Sequence, residues 1–152
     1  MSALKLYVRG REDLCDLPKL DLAISINDPG DEVPGDLSFL ADEVLPLSFH
    51  DAEDDEQEAG FVLPQPWHLG LVRRRLEAQP HTTLLVQCTF GISRSPAVAL
   101  FTLAVLNPLW NAQRLVDSLF DVRPEAAPNA RLIRLAEADL NKQLRRALKH
   151  AR

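Results

Sequence analysis

Apolar and polar positions follow two different periods along this chain, and the change falls just past its middle. Leu4, Leu6 and Val8 alternate with Lys5 and Tyr7, the period of a half-buried strand, and Gly10 ends the run. Residues 11–17 read as a short helical turn stopped by Pro18. A second strand is expected over Leu22-Ala23-Ile24-Ser25-Ile26, closed by the turn signal Asn27-Asp28-Pro29-Gly30. Val44-Leu45-Pro46-Leu47-Ser48-Phe49 gives a third, and its proline predicts an edge position or a strand start. Residues 51–58 are acidic with few apolar groups, a surface loop. Over residues 66–79, Trp67, Leu71, Val72 and Leu76 share one broad stripe, which predicts a helix with Trp67 in the core. The β-branched apolar run over residues 82–87 suits a buried central strand.

From there the period is helical. Residues 95–107 are apolar almost all round, so this helix should be central and buried. Pro96 sits in its first turn, where a missing N–H costs nothing, and Asn107-Pro108 ends it. Ala112, Leu115, Val116 and Leu119 line another helix. One last long helix begins at Pro128-Asn129, with Asn129 as its cap. Its apolar face holds Leu132, Leu135, Ala136, Leu140, Leu144 and Leu148. Strands before helices predict an α/β fold, a central mixed sheet of about four to five strands flanked by helices. No linker or repeat interrupts residues 1–152, which are expected to form a single domain.

Composition narrows the function. A net charge of -5 gives no electrostatic support for nucleic-acid or membrane binding. The basic clusters Arg73-Arg74-Arg75 and Lys142, Arg145, Arg146, Lys149 read as solvated helix faces. Cys15 and Cys88 stand far apart, which is no disulfide framework and points to a reducing compartment. The N-terminus has no apolar signal region, and the longest apolar stretch, residues 97–106, falls short of the ~20 residues that span a bilayer. A soluble, cytoplasmic protein is expected. His50, His68, His81 and His150 are scattered without ligand spacing, so neither a metal nor another cofactor is expected. Nothing in the sequence sets an oligomeric state.

The chemistry concentrates in Gln87-Cys88-Thr89-Phe90-Gly91-Ile92-Ser93-Arg94-Ser95. Cys88 and Arg94 bracket five residues without a charged side chain, between a strand and a helix N-terminus. Wrapped around an anion, the N–H groups of Thr89, Phe90, Gly91, Ile92 and Ser93 would form a nest, with Gly91 free to take a positive φ. The helix adds its positive end, and Arg94 a planar fork that matches two phosphate oxygens. The same surroundings favour a thiolate, so Cys88 is a candidate nucleophile. Ser95 is placed to hydrogen-bond the sulfur and ease its departure in a second step.

These residues resemble the signature of the protein tyrosine phosphatase superfamily, His-Cys-x5-Arg-Ser/Thr, and in particular its compact dual-specificity branch. Cys88, Gly91, Arg94 and Ser95 match it, and Ser93-Arg94-Ser95-Pro96 is typical of that branch. Arg123-Pro124 and Pro128-Asn129 resemble the stretch that follows, so the likeness runs over about residues 20–145. The short length and Ile24-Ser25-Ile26-Asn27-Asp28-Pro29 are more similar to bacterial members. The resemblance implies hydrolysis of phosphate monoesters through a phosphocysteine, with phosphotyrosine in a protein or peptide the favoured substrate. Phosphate, sulfate and vanadate should occupy the loop.

An aspartic acid on a loop some tens of residues before the cysteine serves as general acid in such relatives. Asp51, 37 residues before Cys88, is the best match, and Asp54 and Asp55 are rivals on the same loop. That loop either repels very acidic peptides or swings away. Gln87 departs from the pattern, since the family has histidine there. It carries no charge, which predicts a less stabilised thiolate and keeps a phosphate-binding pseudophosphatase as the alternative. Cys88-Thr89-Phe90-Gly91 also resembles the loop of RNA 5′-triphosphatases, which the acidic net charge disfavours. Phosphoinositide phosphatases place lysines in the loop, and this loop has none.

Overall fold

A computed structural model describes residues 4–54 and 59–151. Four strands form in it: β1 (Lys5–Arg9), β2 (Leu20–Asn27), β3 (Ala41–Ser48) and β4 (Thr83–Gln87). They pair in the order β1-β4-β2-β3. Every pairing is parallel, which corrects the mixed sheet expected above. Each strand is reached by a crossover rather than a hairpin: residues 10–19, then α1 (Leu37–Leu40), then α2 (Pro66–Ala78). Every strand therefore starts from the same edge of the sheet. β3 lies outermost, which accommodates Pro46.

The two faces of the sheet are covered unequally. On one, α1 and the segment before β2 bury Leu14, Leu17 and Leu37 against Leu20, Ala23 and Leu85. That segment forms turns instead of the expected helical turn, because the Arg11 N–H is drawn to the Thr89 carbonyl at 2.9 Å. On the other face lie α2, α3 (Arg94–Leu106), α4 (Ala112–Val122), α5 (Ala130–Leu140) and α6 (Leu144–His150). α3 is buried along all but its last two residues, as its apolar circumference requires.

The long C-terminal helix is two helices. Asn141 takes a left-handed conformation at φ 55°, which Asn tolerates better than most residues, and the chain turns there. The turn brings Leu144 and Ala147 back into the core. Asn129 caps α5 as expected, accepting from the Leu132 N–H at 2.9 Å. Among the described residues, no helix is long and apolar enough to cross a membrane.

β4 lies between β1 and β2, so Cys88 leaves the sheet from an interior strand at its C-terminal edge. Open α/β sheets bind ligands at such positions.

Candidate active site

Cys88 is fixed before its side chain does anything. Its N–H continues the β1 ladder to the Arg9 carbonyl at 3.2 Å. The following loop then presses on the end of β1. Gly91 has φ 74°, and a Cβ there would stand 2.6 Å from the Arg9 carbonyl carbon and the Gly10 nitrogen. Only glycine meets both demands. Arg123 holds the outer side of the loop, with Nε donating to the Gly91 carbonyl at 3.0 Å and Nη2 to the Phe90 carbonyl at 3.3 Å. With those carbonyls held outward, N–H groups face in. The Gly91 and Ser95 N–H groups lie 3.2 and 3.4 Å from Cys88 Sγ, and Ser95 Oγ lies 3.1 Å from it.

Arg94 is 4% exposed, and its charge is compensated inside the site. Nη1 donates to Asp28 Oδ1 at 2.7 Å and to the Phe49 carbonyl at 2.8 Å, while Nη2 donates to Thr89 Oγ1 at 3.0 Å. These bonds lock the guanidinium plane and leave the Nε–H and one Nη2–H for an anion. Thr89, expected at the substrate, thus contributes its hydroxyl to positioning Arg94. Asp28 went unrecognised in the sequence. Its signal was the turn ending β2, which reaches the same sheet edge as Cys88 once the two strands pair.

Asp51 joins the same cavity. This space of about 310 Å³ is lined by Asp51, Cys88, Phe90, Ile92, Ser93 and Arg94. Asp51 Oδ1 accepts from Ser93 Oγ at 2.7 Å and from Asn129 Nδ2 at 2.8 Å. One amide side chain therefore caps α5 through its oxygen and holds Asp51 through its nitrogen. Ser93 likewise turns its hydroxyl to Asp51. Phe90 stands on the rim, 78% exposed, and also lines a neighbouring cavity of about 300 Å³ that holds Arg11, Glu12 and Asp13.

Asp54 does something else. Arg131 and Arg134 of α5 both hold it in ion pairs. The hydrogen bond from Arg131, aided by the charges of both arginines, keeps its carboxyl below the usual range, the wrong direction for a proton donor. Asp55 lies outside the described residues. Arg131 also donates to the Pro64 carbonyl at 2.7 Å, so one side chain ties Asp54 to the segment just before α2. His50 closes the base: its N–H donates to the Val62 carbonyl, and its Nδ1 accepts from the Val62 N–H, both at 2.8 Å.

Behind it, His68 occupies the core place expected for Trp67. His68 Nδ1 accepts from the Gln65 N–H at 2.9 Å as part of the α2 cap, and this register leaves Trp67 60% exposed. Burial pushes the His68 imidazole below its ordinary value, so it stays neutral at neutral pH.

Gln87 is fully buried, with Nε2 donating to the Cys88 carbonyl at 2.8 Å. The basic residues Lys142, Arg145 and Arg146 line a larger cavity of about 630 Å³ between α5 and α6, where no thiol or hydroxyl is present. Cys15 is exposed and unpaired. Among the described residues, no cluster of side chains has the makings of a metal site.

No protein-family model matches this chain, and no curated protein matches it. Its likeness to solved structures is clear. Human DUSP28 superimposes with a TM-score of 0.61 at 19% identity, over 97% of this chain and 95% of that one. DUSP15 gives 0.59 at 20%, over 99% and 94%. The human tyrosine phosphatase-like serine/threonine/tyrosine-interacting protein gives 0.61 at 15%, over 79% and 76%. The chain has the fold of the dual-specificity branch of the protein tyrosine phosphatases.

Proposed function

We propose that this protein is a cysteine-dependent phosphatase that hydrolyses phosphate monoesters, with protein phosphotyrosine as its substrate. One observation carries the reading: Asp51, from a separate part of the chain, lines the same cavity as Cys88 and Arg94 of the loop.

In this reading the phosphoryl group sits above Cys88 Sγ. Loop N–H groups and the two free N–H groups of Arg94 hold its oxygens. The Cys88 thiolate attacks phosphorus in line. An S–P bond forms as the P–O ester bond breaks, and the departing oxygen takes its electron pair and a proton from Asp51. Asp51 Oδ1 is already occupied by Ser93 and Asn129, so Oδ2 delivers the proton. Water then gives a proton back to Asp51 and attacks phosphorus. The S–P bond breaks, its electrons return to sulfur, and the Ser95 hydroxyl stabilises the thiolate as inorganic phosphate leaves. Phe90 and Ile92 give the cavity apolar walls that suit an aryl ring. The net charge of -5 and the lysine-free loop favour a protein substrate over RNA or a phosphoinositide. An exposed free cysteine suits the reducing cytoplasm.

The test is hydrolysis of para-nitrophenyl phosphate by wild type and by Cys88→Ser, followed by a phosphopeptide panel. Turnover in wild type alone, inhibited by vanadate, is expected. Equal, negligible rates would overturn the enzyme reading and leave the phosphate-binding alternative, which the uncharged Gln87 favours. Phosphoserine peptides cleaved as fast as phosphotyrosine peptides would overturn the substrate assignment.

A further inference from the structure

Gln87 is where the chain leaves its family's signature, and it heads a line of buried polar groups. Ser25 is its partner across the β2–β4 ladder, and both are fully buried. Ser25 Oγ donates to Gln87 Oε1 at 2.5 Å. Asn27, 4% exposed, donates through Nδ2 to Ser25 Oγ at 3.0 Å. Arg11 Nη1 donates to Asn27 Oδ1 at 2.6 Å. The direction of every bond is forced. Arg11 can only donate, so Asn27 must offer it oxygen and turn its NH₂ to Ser25. The Ser25 hydroxyl, having accepted, donates onward to Gln87 Oε1. That leaves the Gln87 NH₂ for the Cys88 carbonyl. Four hydrogen bonds thus run head to tail from a permanent cation to the peptide of the nucleophile. Aligned bonds polarise one another, and a dry interior strengthens them.

We propose that Arg11 is a positioning residue for Cys88, acting through Asn27, Ser25 and Gln87 as a polarised relay that stands in for the family's histidine. The relay fixes the first peptide of the loop and delivers the influence of a positive charge without placing a titrating group beside the sulfur. Arg11 sits at the wall of the cavity beyond Phe90, so the relay has an outer end near solvent.

The inference rests on Cys88 being the nucleophile of the proposed reaction, and the test reads it in two ways. In a Cys15→Ser background, the alkylation rate of Cys88 by iodoacetamide at pH 7 is measured beside kcat/KM for para-nitrophenyl phosphate. Arg11→Leu and Ser25→Ala are each expected to slow both by about 3–10-fold, the scale of one hydrogen bond. Arg11→Lys, which keeps a cationic donor, should recover most of the loss. The double variant Arg11→Leu/Ser25→Ala should be no slower than Ser25→Ala alone, because the line is already cut. Additive slowing, or unchanged rates in Arg11→Leu, overturns the relay. Arg11 lies partly exposed, so the Leu and Lys variants decide the matter even where Ser25→Ala fails to fold. Wild-type protein without turnover that still shows this alkylation pattern refutes the phosphatase reading and supports the relay.

Discussion

The cysteine loop and the acid loop face the same cavity but are held by different means. Around Cys88 backbone packs directly on backbone, through the β1 ladder continued by the Cys88 N–H and glycines at 10 and 91 that bring two chain segments together, with Arg123 and Gln87 adding side-chain bonds to the loop carbonyls. Around Asp51 the restraint is side chain on loop: Asn129 on Asp51, and Arg131 and Arg134 on Asp54. Close packing tolerates little and ignores salt, whereas exposed ion pairs are adjustable and screened. A nucleophile needs one fixed geometry. In the proposed reaction the acid has only to reach a range of leaving groups.

The two loops should break differently. The largest effect is expected from Asp51→Asn, which should lower kcat on a phosphotyrosine peptide by about 10²–10⁴-fold, the usual worth of a positioned acid. The loss should shrink with para-nitrophenyl phosphate, whose leaving group needs little protonation. An equal loss on both substrates would place Asp51 outside proton transfer. Gly91→Ala comes next. A methyl at 2.6 Å from backbone must displace the loop, and a shift on the ångström scale costs about 10²-fold in kcat/KM. Vanadate affinity should fall with it, while in Asp51→Asn the anion should still bind. Smaller is Arg131→Ala, expected to reduce kcat about 3–10-fold by loosening the tie between Asp54 and the segment before α2. High salt should mimic part of this in wild type and leave Cys88 alkylation unchanged.

Acidification should separate the regions most gently. Burial lowers His68, behind the acid loop, below its ordinary 6.5. The unfolded chain then binds the extra proton first, so stability is complete above 6.5 and declines as pH falls toward the lower native value. Asp21 braces the start of β4, accepting from the Thr82 and Thr83 N–H groups at 2.7 and 3.0 Å, and these bonds hold it below 3.8. Its contribution is present above 3.8 and is lost as pH falls through the lower native value. Thermal unfolding against pH should show two acid limbs, the first flattened by His68→Gln and the second by Asp21→Asn. A single limb untouched by either variant would remove both assignments.

What the sequence disclosed follows the same division. Strand periods, the all-apolar α3 and the loop from Cys88 to Ser95 are local patterns, and local patterns are legible in one chain. The Asn129 cap was legible for the same reason. Its second bond, to a carboxylate 78 residues away, was not. Nor was the pairing of Asp28 with Arg94 across 66 residues, nor the double grip of α5 on Asp54. Those contacts exist only once the sheet order is known, and the order rests on crossovers that carry no short motif. Asn141 misled for another reason: an apolar stripe continues in register across a turn that one left-handed residue makes.

The double duty of Asn129 makes the first turn of α5 a gauge of Asp51. Its oxygen holds the Leu132 amide at 2.9 Å and its nitrogen holds Asp51. Whatever frays that turn releases Asp51, the proton donor of the proposed reaction, while the sulfur stays in place. Solvent exchange at the single Leu132 amide would therefore count how often the proposed site is half assembled, without any substrate being present.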